Sequence, residues 1–95
     1  MTIDELRRRR DDITAAARRR GLSDVRVFGS VARGDARTDS DLDVLVNVEP
    51  GRSMLDVGAF QEDLRELLGM EVHVVALGTE PGRMGRRALA EAVPL

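Results

Sequence analysis

The stretch VFGSVARGDARTDSDLDVLV, residues 27–46, decides the fold. Both ends are apolar and rich in β-branched valine, Val27-Phe28 on one side and Val44-Leu45-Val46 on the other, and each reads as part of a strand. The first strand is expected over Val25 to Phe28 and stops at Gly29-Ser30. Val31 to Gly34 can open a helical turn, and Asp35 to Ser40 is a polar loop. Leu42 to Val48 forms the second strand, closed by Glu49-Pro50-Gly51.

Helices surround this pair of strands. Thr2 with Glu5 fits a capping box, and Ile3, Leu6, Ile13 and Ala17 fall on one helical face. Arg10 interrupts that face. Arg18, Arg19 and Arg20 suit the negative end of the helix dipole, and Gly21 terminates it. The bland reading of Arg7 to Arg10 is a solvated face, partly offset by Asp11 and Asp12. Ser53 with Asp56 marks a second helix start, and Val57, Phe60, Leu64, Leu67 and Leu68 give that helix its apolar side before Gly69. Val72 to Leu77 is a third strand. Pro81 is expected to open a last helix through Met84, Ala88, Leu89 and Ala92, stopped before Pro94. The order helix, strand, strand, helix, strand, helix gives an α/β or α+β layer fold in one domain spanning 1–95. Periodicity leaves ferredoxin-like and small nucleotide-binding folds equally open.

Composition excludes several chemistries. Net charge is -2, which does not suit a basic nucleic-acid coat or a polybasic membrane binder. All 15 cations are arginine, so no Schiff-base or phosphate-loop lysine exists. Cysteine is absent, which removes disulfides, thiolate zinc sites and a thiol nucleophile. One histidine rules out a multi-histidine metal site within the chain. With no Trp or Tyr and two Phe, base-stacking platforms are not expected, nor is direct nucleic-acid binding. No apolar run reaches the roughly 18 residues a membrane span needs, and the N-terminus has no signal-peptide layout, so a cytoplasmic protein is expected.

Three features do not look like packing. Gly29-Ser30 follows a buried-looking strand, where glycine permits close ligand approach and the turn can aim N–H groups at an anion. A plain strand-to-turn junction is the alternative. Asp41 and Asp43 alternate with Leu42, Val44 and Val46, so the two carboxylates share the opposite strand face. Adjacent carboxylates repel unless a cation sits between them, and hard oxygen donors suit Mg²⁺. Two solvated aspartates at the strand mouth would look the same in sequence. The third feature is His73, which shares a face with Glu71, about 6.7 Å back along the strand. Alone, it reads as an ordinary hydrogen-bonded strand histidine.

Ten residues, Val31 to Ser40, separate Gly29-Ser30 from Asp41-Leu42-Asp43. That arrangement resembles the minimal nucleotidyltransferases of the DNA polymerase β superfamily, the antitoxin type of HEPN/MNT toxin–antitoxin pairs. Leu67 to Val75 is similar to the family's third-strand region, and Arg87 to Leu95 to its usual tail. The resemblance implies a nucleotidyltransferase fold, a small mixed sheet flanked by helices. It implies ATP as substrate with Mg²⁺ or Mn²⁺. Gly29 and Ser30 would hold the triphosphate, and Asp41 and Asp43 would bind the metal. Arg33 would either contact phosphate or hold the loop. The implied reaction moves AMP from ATP to a hydroxyl, a tyrosine of a HEPN-domain toxin. The chain has no tyrosine and so could not modify itself there. The family's third carboxylate position is occupied by His73, an imidazole that matches Mg²⁺ less well but can accept a proton. Three readings follow. One is an active adenylyltransferase using Asp41, Asp43 and His73. Another is a weakened or inactive protein that neutralises its toxin by binding alone. The last is a nucleotide or nucleic-acid module with no toxin. An exposed apolar strip on the first or last helix, or Arg10, would suit a partner.

Overall fold

The computed structural model describes residues 1–77 and 82–95, with residues 82–85 and 87 as backbone alone. Its elements are α1 (Ile3–Arg8), α2 (Arg10–Arg19), β1 (Leu22–Phe28), α3 (Gly29–Arg33), β2 (Leu42–Val48), α4 (Met54–Leu68), β3 (Val72–Ala76), α5 (Gly82–Glu91) and β4 (Val93–Pro94). The strands form one mixed sheet in the order β3-β2-β1-β4. β1 is antiparallel to both β2 and β4, and β2 is parallel to β3.

The expected first helix is two helices joined at Arg9. Thr2 caps α1 by accepting from Glu5 N–H at 3.1 Å. At Arg9 the backbone departs from helical geometry, with φ -103° and ψ 13°. The Arg9 guanidinium donates to the Leu67 carbonyl at 3.0 Å, and Arg7 donates to the Pro94 carbonyl at 3.1 Å. These long-range bonds outweigh local propensity. They also give two of the exposed arginines of this run specific partners. Arg10 itself is exposed, because the break at Arg9 shifts the helical phase, while Leu6, Ile13 and Ala17 stay buried.

α4 begins as expected. Ser53 Oγ accepts from Leu55 N–H at 3.2 Å, and Asp56 Oδ2 accepts from Ser53 N–H at 3.1 Å. Its apolar side supplies Val57, Phe60 and Leu64 to the main core. There they meet Leu42, Val44 and Val46 from one face of β2 and Val72 and Val74 from β3. Phe60 is fully enclosed, and burying such a side chain contributes about 1.5–3 kcal/mol.

The opposite sheet face carries a smaller cluster of Phe28, Leu45, Val75 and Ala88, with Ala92 against it. α5 therefore covers part of the face to which Asp43 belongs. β4 is an unexpected element. It is two residues long and includes Pro94, which an edge strand tolerates because no inward N–H is needed there. β1 starts three residues earlier than expected, and β3 ends one residue earlier at Ala76, although Leu77 N–H still bonds Val46 carbonyl at 2.7 Å. Pro81 as the start of the last helix and Met84 on its apolar side lie outside the described residues and side chains. No helix is long and apolar enough to cross a membrane among the described residues. The exposed large apolar side chains described are Met54, Leu55, Leu77 and Leu89, so α5 shows one and the first two helices show none.

Candidate functional site

β1 runs into α3 without an intervening loop, and Gly29 makes the corner with φ +74°. Phe28 is paired with Asp43 across the antiparallel ladder, so Gly29 backs onto the Asp43 carboxylate. A Cβ at Gly29 would stand 2.3 Å from Asp43 Oδ2, closer than atoms can approach. Glycine is required twice here, by the left-handed backbone and by the carboxylate. Beyond α3, Asp35 N–H bonds the Ser30 carbonyl at 3.0 Å, and Ser40 Oγ accepts from Arg37 N–H at 2.8 Å. These turns return the chain to Asp41 at the mouth of β2.

The result is a cavity of about 410 Å³ lined by Phe28, Gly29, Ser30, Arg33, Asp41, Asp43, Ala88 and Glu91. Five residues singled out in the sequence, Gly29, Ser30, Arg33, Asp41 and Asp43, meet there. His73 does not line it. His73 is exposed and stands beside Asp43 in the parallel ladder of β2 and β3. Glu71, which shares its face, is paired with Arg65 instead.

Glu91 is the residue the sequence reading missed. It ends α5, where a negative charge opposes the helix dipole, and that disfavoured position was the available signal that a specific partner holds it. Arg33 is that partner. Its Nη1 lies 3.1 Å from Glu91 Oε2, and its Nε lies 3.3 Å from Asp35 Oδ2. Arg33 thus lines the cavity and ties the loop and α5 together.

The electrostatics follow from this crowding. Burial pushes the Asp43 carboxyl above the usual carboxylate range. Asp41 and Glu91 push the same way, while His73 and Arg33 oppose them. The donor chemistry fits a hard divalent cation, because two carboxylates open onto one cavity and burial disfavours the charge of one of them. Among the described residues, no group of three His, Cys, Asp or Glu side chains is assembled to hold a metal. A cation at this place would rest on Asp41, Asp43 and oxygens supplied by the bound ligand.

Residues 10–93 match the nucleotidyltransferase domain family. The chain belongs to that family. Among curated proteins it is 34% identical over 93 residues to "Putative protein adenylyltransferase MJ0435" of Methanocaldococcus jannaschii, covering 98% of this chain and 97% of that protein. It is 37% identical over 73 residues to protein adenylyltransferase MntA of Thermococcus cleftensis, covering 77% of this chain and 74% of that one. A solved structure described as a "putative minimal nucleotidyltransferase" superposes with a TM-score of 0.85 at 45% identity, over 100% of this chain and 97% of that one. The same fold appears, at 16% identity and a TM-score of 0.69, in a complex of tri-AMPylated Shewanella oneidensis HEPN toxin with MNT antitoxin, over 93% of this chain and 69% of that chain. The nucleotidyltransferase fold that the family resemblance implied is therefore the observed one, a four-stranded mixed sheet with helices on both faces.

Proposed function

We propose that this nucleotidyltransferase moves AMP from ATP onto a tyrosine hydroxyl of a HEPN-domain toxin and so acts as its antitoxin. The observation that carries the reading is the convergence of Gly29, Ser30, Asp41 and Asp43 on one cavity. The relatives named as protein adenylyltransferases and the toxin–antitoxin complexes of this fold support the choice of reaction and of partner. We place the reaction in the cytoplasm.

Gly29 keeps the cavity wall bare so that a triphosphate can lie against the backbone, and Ser30 adds a hydroxyl beside it. Arg33 offers its guanidinium to phosphate oxygens. Asp41 and Asp43 would hold Mg²⁺ or Mn²⁺, which when bound offsets charge on the phosphoryl oxygens. The acceptor oxygen bonds to the α-phosphorus, the bond from that phosphorus to the α,β-bridging oxygen breaks, and pyrophosphate leaves. The hydroxyl proton passes to the imidazole of His73, exposed next to Asp43 on the same sheet face. Positioning and charge do most of the work in such a transfer.

The test is direct. Labelled ATP with Mg²⁺ or Mn²⁺ should label the toxin, and Asp41→Asn with Asp43→Asn should abolish labelling. Persistent labelling by that double variant would remove the catalytic assignment. A second reading rests on His73, the residue that the family resemblance puts at the third carboxylate position and that the described cavity lining does not include. In that reading the protein neutralises the toxin by contact alone. Wild type would then label nothing, and the double variant would still rescue cells from the toxin. His73→Asp separates the two further. A gain in labelling means that His73 limits the site, and a loss means that its imidazole is the proton acceptor.

A further inference from the structure

A groove of about 280 Å³ lies between α2 and β1, and among the described residues it shares no lining with the cavity above. Ala17, Leu22, Val25 and Leu95 give it an apolar floor, with Ala17 and Leu22 buried. Arg10, Thr14 and Arg18 line it from α2. Their four-residue spacing stacks the three side chains on one helical face. Neither arginine has an acid three or four residues away in sequence, so no helical neighbour can neutralise it. Among the described residues no carboxylate lies within ion-pair distance of either guanidinium, whereas Arg20, Arg26, Arg33, Arg52 and Arg65 are all paired. The opposite wall is β1, which bulges between Ser23 and Arg26 and holds Asp24 in left-handed backbone, φ +53°. That acid is already engaged, because Arg26 donates to both of its carboxylate oxygens, at 3.3 and 2.6 Å. β4 pairs with β1 only at Arg26 and Val27, and so stops short of this wall.

We propose that this groove docks an acidic segment of the protein acceptor, one that also brings an apolar side chain to the floor. The inference rests on the reading above, in which that acceptor is the toxin. Charge complementarity selects the occupant. Arg10 and Arg18 stand about 12 Å apart along the helix axis, and each guanidinium presents a fork of donors that matches a carboxylate. The floor between them rewards an apolar side chain and gives nothing to a phosphate backbone. The chain's net charge of -2 also disfavours nucleic acid as the occupant. Transfer to a side chain of another protein requires that protein to be held by surface remote from the reacting atoms. Contacts of that kind act alike on the bound acceptor and on the transition state, so they set the acceptor's affinity and leave the chemical step alone.

The experiment measures transfer of labelled AMP against toxin concentration, with toxin affinity and ATP uptake followed by calorimetry. It compares wild type with Arg10→Gln/Arg18→Gln and Arg10→Glu/Arg18→Glu, whose altered side chains are exposed and leave the core intact. The glutamine pair should raise the KM and Kd for toxin about tenfold, the scale of two exposed ion pairs, and the glutamate pair should raise them further. kcat and ATP uptake should stay at wild-type values. A photo-crosslinking residue placed at Thr14 should attach to a stretch of toxin that contains Asp or Glu. Unchanged KM and Kd in both variants overturn the proposal. So does a fall in kcat or ATP uptake as large as the loss of toxin affinity, and so does a crosslink to a stretch without acids. A short oligothymidylate that binds wild type but neither variant would assign the groove to nucleic acid and likewise overturn it. If wild type binds toxin but transfers nothing, the affinities and the crosslink decide. If wild type has no affinity for the toxin, the partner reading itself falls and takes this inference with it, a failure distinct from variants that bind as wild type does.

Discussion

Gly29 and Gly34 allow the site's geometry to be weighed against a built-in control. Both hold left-handed backbone, with φ +74° and +82°. A Cβ at Gly34 meets nothing within 4 Å, whereas one at Gly29 would lie 2.3 Å from Asp43 Oδ2 and 3.2 Å from its Cγ. Gly34→Ala should therefore cost only the left-handed strain of an L-residue, about 1–2 kcal/mol. Gly29→Ala pays the same strain and must also turn the Asp43 carboxylate out of its rotamer, about 0.5–1.5 kcal/mol more. Its total is about 1.5–3.5 kcal/mol, below the roughly 5–15 kcal/mol stability of a typical domain, so the variant should still fold. The functional gap should be wider than the stability gap. Gly34→Ala should keep ATP uptake near wild type, whereas Gly29→Ala displaces Asp43 and fills the wall, and should lose most of it. Urea denaturation followed by circular dichroism gives the stabilities, and calorimetry gives the uptake. In a Gly29→Ala/Asp43→Ala double variant the steric part should vanish and leave only the strain. Equal costs for the two single alanine variants, or additive costs in the double variant, would refute the claim that Gly29 is glycine because of Asp43.

Three further outcomes follow from the same structure. Asp43 has its pKa raised in the fold, chiefly by burial, so its ionisation opposes folding. Asp43→Asn should make the unliganded protein more stable at neutral pH, and the advantage should shrink as pH falls through the folded value, read from melts across pH. Asp63 is the reverse case: its hydrogen bond from Arg20, at 2.8 Å, holds its carboxyl low. That contribution is complete above the usual aspartate value of about 3.9 and is lost as pH falls through the lower folded value, so Asp63→Asn should flatten the acid limb of the stability profile. Phe60→Ala should destabilise by about 3–5 kcal/mol in urea, because the ring is fully enclosed between α4 and the sheet.

Most of the site was legible because antiparallel pairing is local. The ten residues between Ser30 and Asp41 let β1 end and β2 begin side by side, so Phe28 falls opposite Asp43 and the glycine meets the aspartates. Alternation then fixed which side of β2 faced the core: Leu42, Val44 and Val46 are buried as a set. What the sequence withheld depends on distant pairing. The division of the first helix at Arg9 reflects a bond to Leu67, in another element. β4 is too short to show a period and exists because β1 offers it an edge. The place of His73 required the parallel register of β3 on β2, which no alternation pattern encodes.

Glu91 lies at the far end of that scale and carries the strongest lesson about charge. An acid at a helix C-terminus, next to two other acids, works against folding on every local count. The core does not need it, since Ala88 and Ala92 already seat α5 on the small apolar cluster. Its ion pair with Arg33 is half exposed, a kind of contact that contributes at most about 1 kcal/mol. Placing Glu91 beside Asp41 and Asp43 gives the cavity three carboxylates among the described residues, and its pair with Arg33 joins that wall to the loop at Asp35.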